Sequence, residues 1–296
     1  MSFRLQTLQK IMKDSGIVTE TVNKYIGKVN YSTKLPLPNG AYAAIPDNPL
    51  SANGAVDIMF QFRYYSSAPP GARTNVNMVI VYADVQKAYN DPKFIANSIG
   101  TIISYLKKLN PTAHLGKYGL SGFSVGYWPI ENLLRNRKEM EQLVGKPLDS
   151  VFLADGGATK LNDASMSGFI DFANEAANSK DKKFVVMHSA IPGGKMVDGK
   201  WKPFTSTTQH ADYISNKLHL NKEPIAQDDP RFKDLTLKPK SMSSKGGVHI
   251  IGVDDDAKRP WIPKDKFKPG SSGWVHQQIA TEHLPNAWNT YLTDWS

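Results

Sequence analysis

Apolar runs and stretches of helical periodicity alternate along most of the chain. Six runs rich in β-branched and aromatic residues, each bounded by turn-forming residues, predict buried strands at 56–65, 77–84, 114–124, 148–157, 182–190 and 246–256. Apolar residues at helical spacing predict helices at 92–110, 126–144, 166–179, 205–220 and 275–292, the last interrupted at Pro285. Strands that alternate with helices predict an α/β fold, in which a mainly parallel sheet is sandwiched by helices.

The segments outside this alternation predict one domain. Residues 30–55 are rich in Pro, Gly and Asn, which is typical of loops and short hairpins, and an amphipathic stretch precedes them. We therefore expect a single domain over 1–296, on which an N-terminal helix and a loop-rich extension, residues 1–54, are packed. Residues 221–245 predict a long surface excursion and not a domain boundary.

Composition and charge narrow the class of protein. With 40% hydrophobic and 21% charged residues over 296 positions, the composition is that of an ordinary globular chain. The net charge of +9 favours anionic partners, but the basic residues are spread out and no nucleic-acid motif accompanies them, so we expect no nucleic-acid partner. The sequence contains no apolar run of about 18 residues, so it predicts no membrane span. The first 16 residues lack the apolar centre of a secretion signal, so the cytoplasm is the default expectation, and export would require that a leader had been removed.

The lack of cysteine and of cofactor motifs removes several kinds of chemistry. Without cysteine there is no thiolate nucleophile, no disulfide and no thiolate metal site. Neither Gly-x-x-x-x-Gly-Lys nor Gly-x-Gly-x-x-Gly occurs, which disfavours nucleotide-dependent chemistry. A metal-dependent hydrolase that uses His188 with aspartates is disfavoured, because no histidine pair has ligand spacing. We expect neither a cofactor nor a metal; the oligomeric state is not predicted.

The segment Gly122-Phe123-Ser124-Val125-Gly126 lies where a predicted strand passes into a predicted helix. In this context Gly-x-Ser-x-Gly forms a tight, strained turn that presents the serine hydroxyl above the sheet, and small flanking residues avoid clashes. The first N–H groups of the following helix, beginning near Val125, then point toward a developing oxyanion. Ser124 is therefore the candidate nucleophile.

A serine hydroxyl needs a base that takes its proton, and histidine is the residue suited to this role. Among seven histidines we favour His276, which begins the last predicted helix after a loop. His188, near the carboxyl end of its strand, is the alternative. His210 and His219 fall on a predicted amphipathic helix, where we expect surface positions.

The base in turn needs a carboxylate that holds its tautomer and stabilises the imidazolium. Asp155 ends an apolar strand and is followed by two glycines, and a carboxylate buried there is costly unless it is paired. The order Ser124, Asp155, His276 is the one expected for this architecture. Asp198 is the main competitor. The adjacent carboxylates of residues 254–256 are further candidates.

With these residues in place, the chain resembles the α/β-hydrolase superfamily of serine hydrolases, and in particular poorly characterised bacterial members. The resemblance covers about residues 55–292 by pattern and rests on the "GFSVGY" turn, with support from "VFLADGG", "GWVHQQIATEHLP" and "VDIMFQFRYY". It implies that Ser124, Asp155 and His276 are nucleophile, acid and base.

One stretch departs from that resemblance. Many members carry a His-Gly pair or a glycine run after the third strand, whereas this chain has "FQFRYYSSAPPG". We expect an oxyanion hole made by the N–H of Val125 and the backbone of Tyr64 or Tyr65. Arg63 or a tyrosine hydroxyl is the alternative donor.

Together these features predict a serine hydrolase that cleaves an ester or amide bond through an acyl-enzyme. Its substrate would be a small-molecule or polymer-linked acyl compound, and Tyr127 and Trp274 are candidates for binding it, although such aromatics also pack in cores. The alternative is a non-catalytic binding protein that kept the scaffold, with carbohydrate or cell-wall material as its ligand.

Overall fold

A computed structural model describes residues 29–63, 74–84, 87–157, 161–190, 194–197, 200–203, 205–254 and 272–295. The amphipathic stretch on which the N-terminal helix of the 1–54 extension is expected lies within residues 1–28, outside the described residues. None of the helices in the described ranges is long and apolar enough to cross a membrane.

The described residues form strands whose bounds lie close to those of the six predicted apolar runs, with further short strands around them. In chain order they are β1 Tyr31–Pro36, β2 Tyr42–Pro46, β3 Ala55–Phe62, β4 Val79–Ala83, β5 His114–Phe123, β6 Ser150–Ala154, β7 Lys183–Ser189, β8 Gly194–Val197, β9 Lys200–Pro203, β10 Glu223–Pro224, β11 Ser241–Lys245 and β12 Val248–Asp254.

Ten of these strands form one sheet in the order β1-β2-β4-β3-β5-β6-β7-β12-β11-β10. The six central strands, β4 to β12 in that order, are all parallel to one another. They are the six strands that the sequence predicts, so the prediction of a mainly parallel sheet is confirmed. Antiparallel pairs extend it at both edges, and β8 and β9 form a separate hairpin.

The helices connect and cover the strands. In chain order they are α1 Pro92–Lys107, α2 Tyr127–Arg135, α3 Arg137–Val144, α4 Asp163–Ala177, α5 Thr207–Lys217, α6 Ser272–Gln278 and α7 Leu284–Tyr291, with a π-helical turn, Ile279–His283, between the last two. The prediction of a single helix over 126–144 is wrong in one respect. The helix is interrupted at Asn136, where φ is −102° and ψ is 24°, so two helices form.

The prediction for 221–245 is also wrong in part. This segment contributes β10 and β11 to the sheet instead of forming only a surface excursion. The side chains of Ser241 and Ser243 are buried on β11. Because short hydroxyl side chains fill the buried positions, the strand lacks the apolar pattern that marks the others.

Apolar side chains alternate between the two faces of the sheet, as the pleat of a strand requires. On β6, Val151 and Leu153 pack with the first five helices, whereas Phe152 and Ala154 face the C-terminal helices, where Trp288 is fully buried. Helices thus cover both faces.

Because the central strands are parallel, their carboxyl ends meet at one edge of the sheet. Phe62 of β3 pairs with Gly122 of β5, and Phe123 pairs with Ala154 of β6. The residues that follow these three neighbouring strands therefore lie side by side, at the place where loops of an α/β sheet form binding sites.

Candidate active site

Ser124 occupies a strained turn at the end of β5. The strand ends at Phe123, the 3₁₀ turn Ser124–Gly126 follows, and α2 begins at the next residue. The φ angle of Ser124 is +54°, in the left-handed region that costs a non-glycine residue about 1–2 kcal/mol. Its side chain is partly exposed, whereas its neighbours Phe123 and Gly126 are buried. Strain of this kind clusters at functional sites.

The two glycines of the motif are required by contact. A Cβ atom on Gly122 would stand 2.6 Å from the carbonyl oxygen of Gly126, and one on Gly126 would stand 2.2 Å from the carbonyl oxygen of Phe62. Real Cβ atoms do not come so close to an oxygen, so any larger residue would displace the turn. Their spacing in the sequence therefore reflects how tightly the turn is packed between β3 and β5.

The loop after β6 comes equally close to Ser124. A Cβ atom on Gly156 would stand 2.7 Å from the carbonyl oxygen of Ser124. Asp155, the residue before that glycine, is itself left-handed, with φ of +46°. The absence of a side chain at 156 thus lets the carboxylate-bearing loop pack directly against the serine turn.

The carboxylate of Asp155 is buried and surrounded by donors. Its Oδ1 accepts hydrogen bonds from Thr207 Oγ1 at 2.5 Å, Ser189 Oγ at 2.9 Å and the Ser189 backbone N–H at 3.1 Å. Its Oδ2 accepts one from His276 Nδ1 at 2.5 Å. Both oxygens are therefore satisfied, which a buried charge requires.

These donors determine the protonation state of Asp155. Burial raises its pKa, but the hydrogen bond and charge of His276, together with the hydroxyls of Thr207 and Ser189, outweigh burial and hold the pKa below its ordinary value. Thr207 is also the first residue of α5, so the positive end of that helix lies at the carboxylate. Asp155 is consequently an anion at neutral pH.

The bond to Asp155 fixes the tautomer of His276. An ionised carboxylate only accepts hydrogen bonds, so Nδ1 carries a proton, and in the neutral imidazole Nε2 is then the atom with the lone pair. The imidazole also packs on the ring of Phe123, with ring centroids 4.4 Å apart. His276 is partly exposed and lies beside the residue that precedes Ser124. The structure thus brings Asp155 and His276 into direct contact and sets both next to the serine turn.

Of the expected oxyanion donors, the structure describes Val125 but not the two tyrosines. Val125 is the second residue of the 3₁₀ turn Ser124–Gly126, where the first N–H groups have no intrahelical acceptor. Tyr64 and Tyr65 lie outside the described residues. The backbone N–H of Arg63 donates to the carbonyl of Ala83 at 3.0 Å, so that group is already used.

The two aromatic candidates for substrate contact differ in burial. Tyr127 is only 6% exposed and belongs to the core beneath the helices. Trp274 is half-buried and packs against the apolar cluster on the other face of the sheet. Of the two, it is Trp274, two residues before His276, that keeps an appreciable surface near the site.

Among the other candidate bases and acids, His188 is the residue whose side chain the structure describes. The Nδ1 atom of His188 pairs with Thr208 Oγ1 at 2.9 Å, and the side chain lines a crevice of about 200 Å³ between α5 and β11. Asp198, the side chain of Asp254, Asp255 and Asp256 lie outside what the structure describes. His210, expected at the surface, is instead buried, and burial lowers its pKa to about 4. It packs against Gly157, because α5 turns this face toward the loop after β6.

Ser189 and Thr207 are not among the site residues that the sequence predicts. Ser189 ends β7 and Thr207 begins α5, so both are polar residues at the same edge of the sheet as Asp155. That placement is a usable signal. Their contacts span 34 and 52 positions of sequence, however, and no local motif marks them.

Comparisons with known proteins give remote likenesses of shape. No family model matches the chain, and no curated protein matches it by sequence. The carboxylesterase CesB (YbfK) of Bacillus subtilis matches over 98% of this chain and 97% of its own, at 8% identity and a TM-score of 0.40. A truncated carbohydrate esterase from gut microbiota matches over 90% and 96%, at 8% identity and a TM-score of 0.47.

A third match, the acylaminoacyl peptidase of Pyrococcus horikoshii, covers 96% of this chain, at 12% identity and a TM-score of 0.42. This chain spans only 43% of the peptidase. With identities of 8–12% and TM-scores below 0.5, these likenesses do not establish what this chain does.

Proposed function

We propose that this chain is a serine hydrolase of the α/β-hydrolase type that cleaves an ester or amide bond, with Ser124 as nucleophile, His276 as base and Asp155 as acid. One observation carries the proposal. The buried carboxylate of Asp155 is joined at 2.5 Å to His276, whose imidazole packs on Phe123, the residue before the left-handed Ser124. A purely structural ion pair would not need a strained, partly exposed serine beside it.

The chemistry follows from the tautomer of His276. As Ser124 Oγ attacks the substrate carbonyl, its proton passes to the free Nε2 of His276, and Asp155 stabilises the resulting imidazolium. The imidazolium then gives the proton to the leaving alcohol or amine, which leaves an acyl-enzyme. Water, deprotonated by the same nitrogen, releases the acid and restores Ser124.

The negative oxygen of the tetrahedral intermediate needs at least two donors. We assign the N–H of Val125 as one of them and the backbone of Tyr64 or Tyr65 as the other. Trp274 is the aromatic residue that we assign to substrate contact, because it keeps exposed surface and lies two residues before His276 in the chain.

Labelling with a fluorophosphonate probe, followed by intact mass, tests the proposal. We expect a single adduct on the wild type and none on Ser124→Ala or His276→Ala. Ser121→Ala is the matched control, because Ser121 lies on β5 three residues before Ser124, is fully buried and has a hydroxyl without a hydrogen-bond partner among the described residues. It should label like the wild type. Labelling that survives Ser124→Ala, or its absence from the wild type, would refute the proposal.

A non-catalytic binding protein is the second candidate, and one observation favours it. The backbone N–H of Arg63, at the end of β3, is bound to Ala83 and cannot serve the oxyanion. If no second donor is formed, acyl transfer loses a factor of about 10²–10³. A wild-type protein that binds acylated carbohydrate in calorimetry but takes up no probe would favour this candidate.

A further inference from the structure

Arg63 shares a backbone anomaly with the candidate nucleophile and acid. Among the described residues five non-glycine positions have positive φ, and three of them directly follow the neighbouring strands β3, β5 and β6. These three are Arg63 at +57°, Ser124 at +54° and Asp155 at +46°. Two belong to the proposed site. The left-handed region disfavours any residue with a Cβ atom, and arginine lacks the short polar side chain by which asparagine or aspartate tolerates it, so its occurrence here calls for a role.

Arg63 also lies against the serine turn. Its Cβ atom is 3.4 Å from the point where a Cβ on Gly126 would stand, and Gly126 is two residues from Ser124. The side chain of Arg63 therefore starts at the wall of the proposed site, on the side of β3.

The backbone of Arg63 is already engaged in hydrogen bonds. Its N–H donates to Ala83 at 3.0 Å, and its carbonyl accepts a hydrogen bond from Gln61 Nε2 at 2.9 Å. What remains for chemistry is the guanidinium, which is charged at every physiological pH and suited to bidentate binding of carboxylate or phosphate. Arg63 is half-buried and forms no ion pair with another of the described residues.

We propose that Arg63 is a specificity-determining residue that binds an anionic group on the substrate, so that the hydrolase prefers acyl donors carrying a carboxylate or a phosphate. This inference rests on the proposed function of Ser124. The side chain of Arg63 starts at the serine turn and has no carboxylate to pair with among the described residues, so its positive charge is available to an anionic group of the substrate. The preference would come from the ground state and the transition state alike, since the anionic group is remote from the carbonyl.

Two matched esters separate this role from others. In 4-nitrophenyl hexanoate the acyl chain ends in a methyl group, and in the mono-4-nitrophenyl ester of hexanedioic acid it ends in a carboxylate. We expect wild-type kcat/KM to be at least about tenfold higher for the anionic ester, as a charge-assisted bond allows. In Arg63→Gln the ratio of the two values should approach one, and Arg63→Lys should retain part of the preference. Replacing the carboxylate by a phosphate in the same acyl chain determines which anion the site prefers.

The control removes the same charge from the other end of the sheet. Lys108 is exposed at the C-cap of α1, which runs back to the amino ends of the strands. Lys108→Gln should leave the ratio within about twofold of the wild type, because exposed charges beyond about 10 Å are screened. Arg63→Asn is a second variant, since asparagine tolerates the left-handed backbone better than glutamine does.

The outcomes are distinguishable. Equal losses on both esters in Arg63→Gln would mean that Arg63 supports the oxyanion or the fold, and would overturn the inference while Ser124 remains the nucleophile. Wild-type protein that hydrolyses neither ester and takes up no fluorophosphonate would overturn the proposed function. Inhibition of the wild type tests the role of Arg63 without any substitution: free hexanedioate should inhibit hydrolysis of the neutral ester at least about tenfold more strongly than hexanoate. Equal inhibition would refute the inference.

Discussion

Two aspartates bracket the central strand β6, Asp149 directly before it and Asp155 directly after it, and the protein uses them differently. Asp149 is half-buried at the amino end, and its Oδ2 accepts the backbone N–H of Tyr118 at 2.8 Å. The N–H of Asp149 donates back to the carbonyl of the same tyrosine at 3.0 Å. This carboxylate joins β5 to β6 and has no imidazole beside it among its hydrogen-bond partners in the described residues.

The pKa values of the two carboxylates are shifted in opposite directions, because different donors surround them. Burial raises the pKa of Asp149, and the Tyr118 hydrogen bond and nearby lysines only partly oppose this, so the pKa stays above its ordinary value. Burial acts on Asp155 as well, but side-chain donors led by His276 reverse the balance and lower its pKa. The contrast shows that the partners, more than the burial, distinguish a structural carboxylate from a candidate catalytic one.

The largest expected effect compares the two aspartates directly. Asp155→Asn should lower kcat/KM for ester hydrolysis by about 10³–10⁴, because an amide cannot stabilise the imidazolium and favours the wrong tautomer. Asp149→Asn should change kcat/KM by less than about threefold. It should change the free energy of unfolding by less than about 1 kcal/mol at neutral pH, since the weaker hydrogen bond to Tyr118 is offset by the removal of a buried charge.

Both variants would be measured by steady-state kinetics and urea unfolding. Near-wild-type activity of Asp155→Asn would show that the two carboxylates are equivalent and would remove Asp155 from the site. A loss of about 10² or more in Asp149→Asn, with the fold intact, would contradict the structural role of that residue.

A second prediction extends the comparison to the backbone at the carboxyl edge. Gly126→Ala should lower kcat/KM by about 10², because its Cβ would meet the carbonyl oxygen of Phe62 at 2.2 Å and shift the serine turn. Gly100→Ala is the control, since Gly100 is exposed on α1 with no atom within 4 Å of the added Cβ. It should raise the unfolding free energy by about 0.5–1 kcal/mol. Unchanged kinetics in Gly126→Ala would show that the close packing at Ser124 is not required.

Much of this arrangement is predictable from local sequence. The central strands are buried on both faces, so nearly every residue in them must be apolar, and such runs are conspicuous. The spacing of Gly122 and Gly126 around Ser124 marks the turn, because only residues without a Cβ fit there. Asp155 is conspicuous for a related reason, as a charge that ends an apolar run.

What the sequence could not predict depends on contacts between distant segments. Thr207 reaches Asp155 across 52 positions, and nothing in its own surroundings marks it as a partner of a carboxylate. His210 lies on a helix of mixed polarity, and its burial is decided by the loop that packs on it. The short polar strand β11 pairs with β12 through its backbone, which hydropathy does not record.

A third prediction tests the donors that distinguish Asp155 from Asp149. Thr207→Val removes the hydroxyl at 2.5 Å from Asp155 Oδ1 and keeps the shape of the side chain. We expect kcat/KM to fall about tenfold, as for the loss of a charge-assisted hydrogen bond. The acid limb of the pH profile should move to higher pH, because the pKa of Asp155 rises and the pair takes up a proton more readily.

Thr207→Ser restores the hydroxyl and should restore both rate and pH profile. The capping box of Ser206 and Gln209 keeps the start of α5 in place in both variants. A loss of rate without any movement of the pH profile would indicate a structural role only.

The smallest effect distinguishes the two aspartates by the sign of their contribution to the pH dependence of stability. The folded-state pKa of Asp155 is lowered, so its stabilisation is present above the ordinary aspartate pKa of about 4 and is lost as pH falls through the folded-state value. The pKa of Asp149 is raised, so the folded chain takes up a proton first, and stability is gained as pH falls toward about 4. In urea unfolding between about pH 3 and pH 7, Asp155→Asn should therefore flatten the loss of stability in acid, whereas Asp149→Asn should steepen it. If both substitutions changed the slope of unfolding free energy against pH in the same direction, the opposite pKa shifts of the two carboxylates would be contradicted.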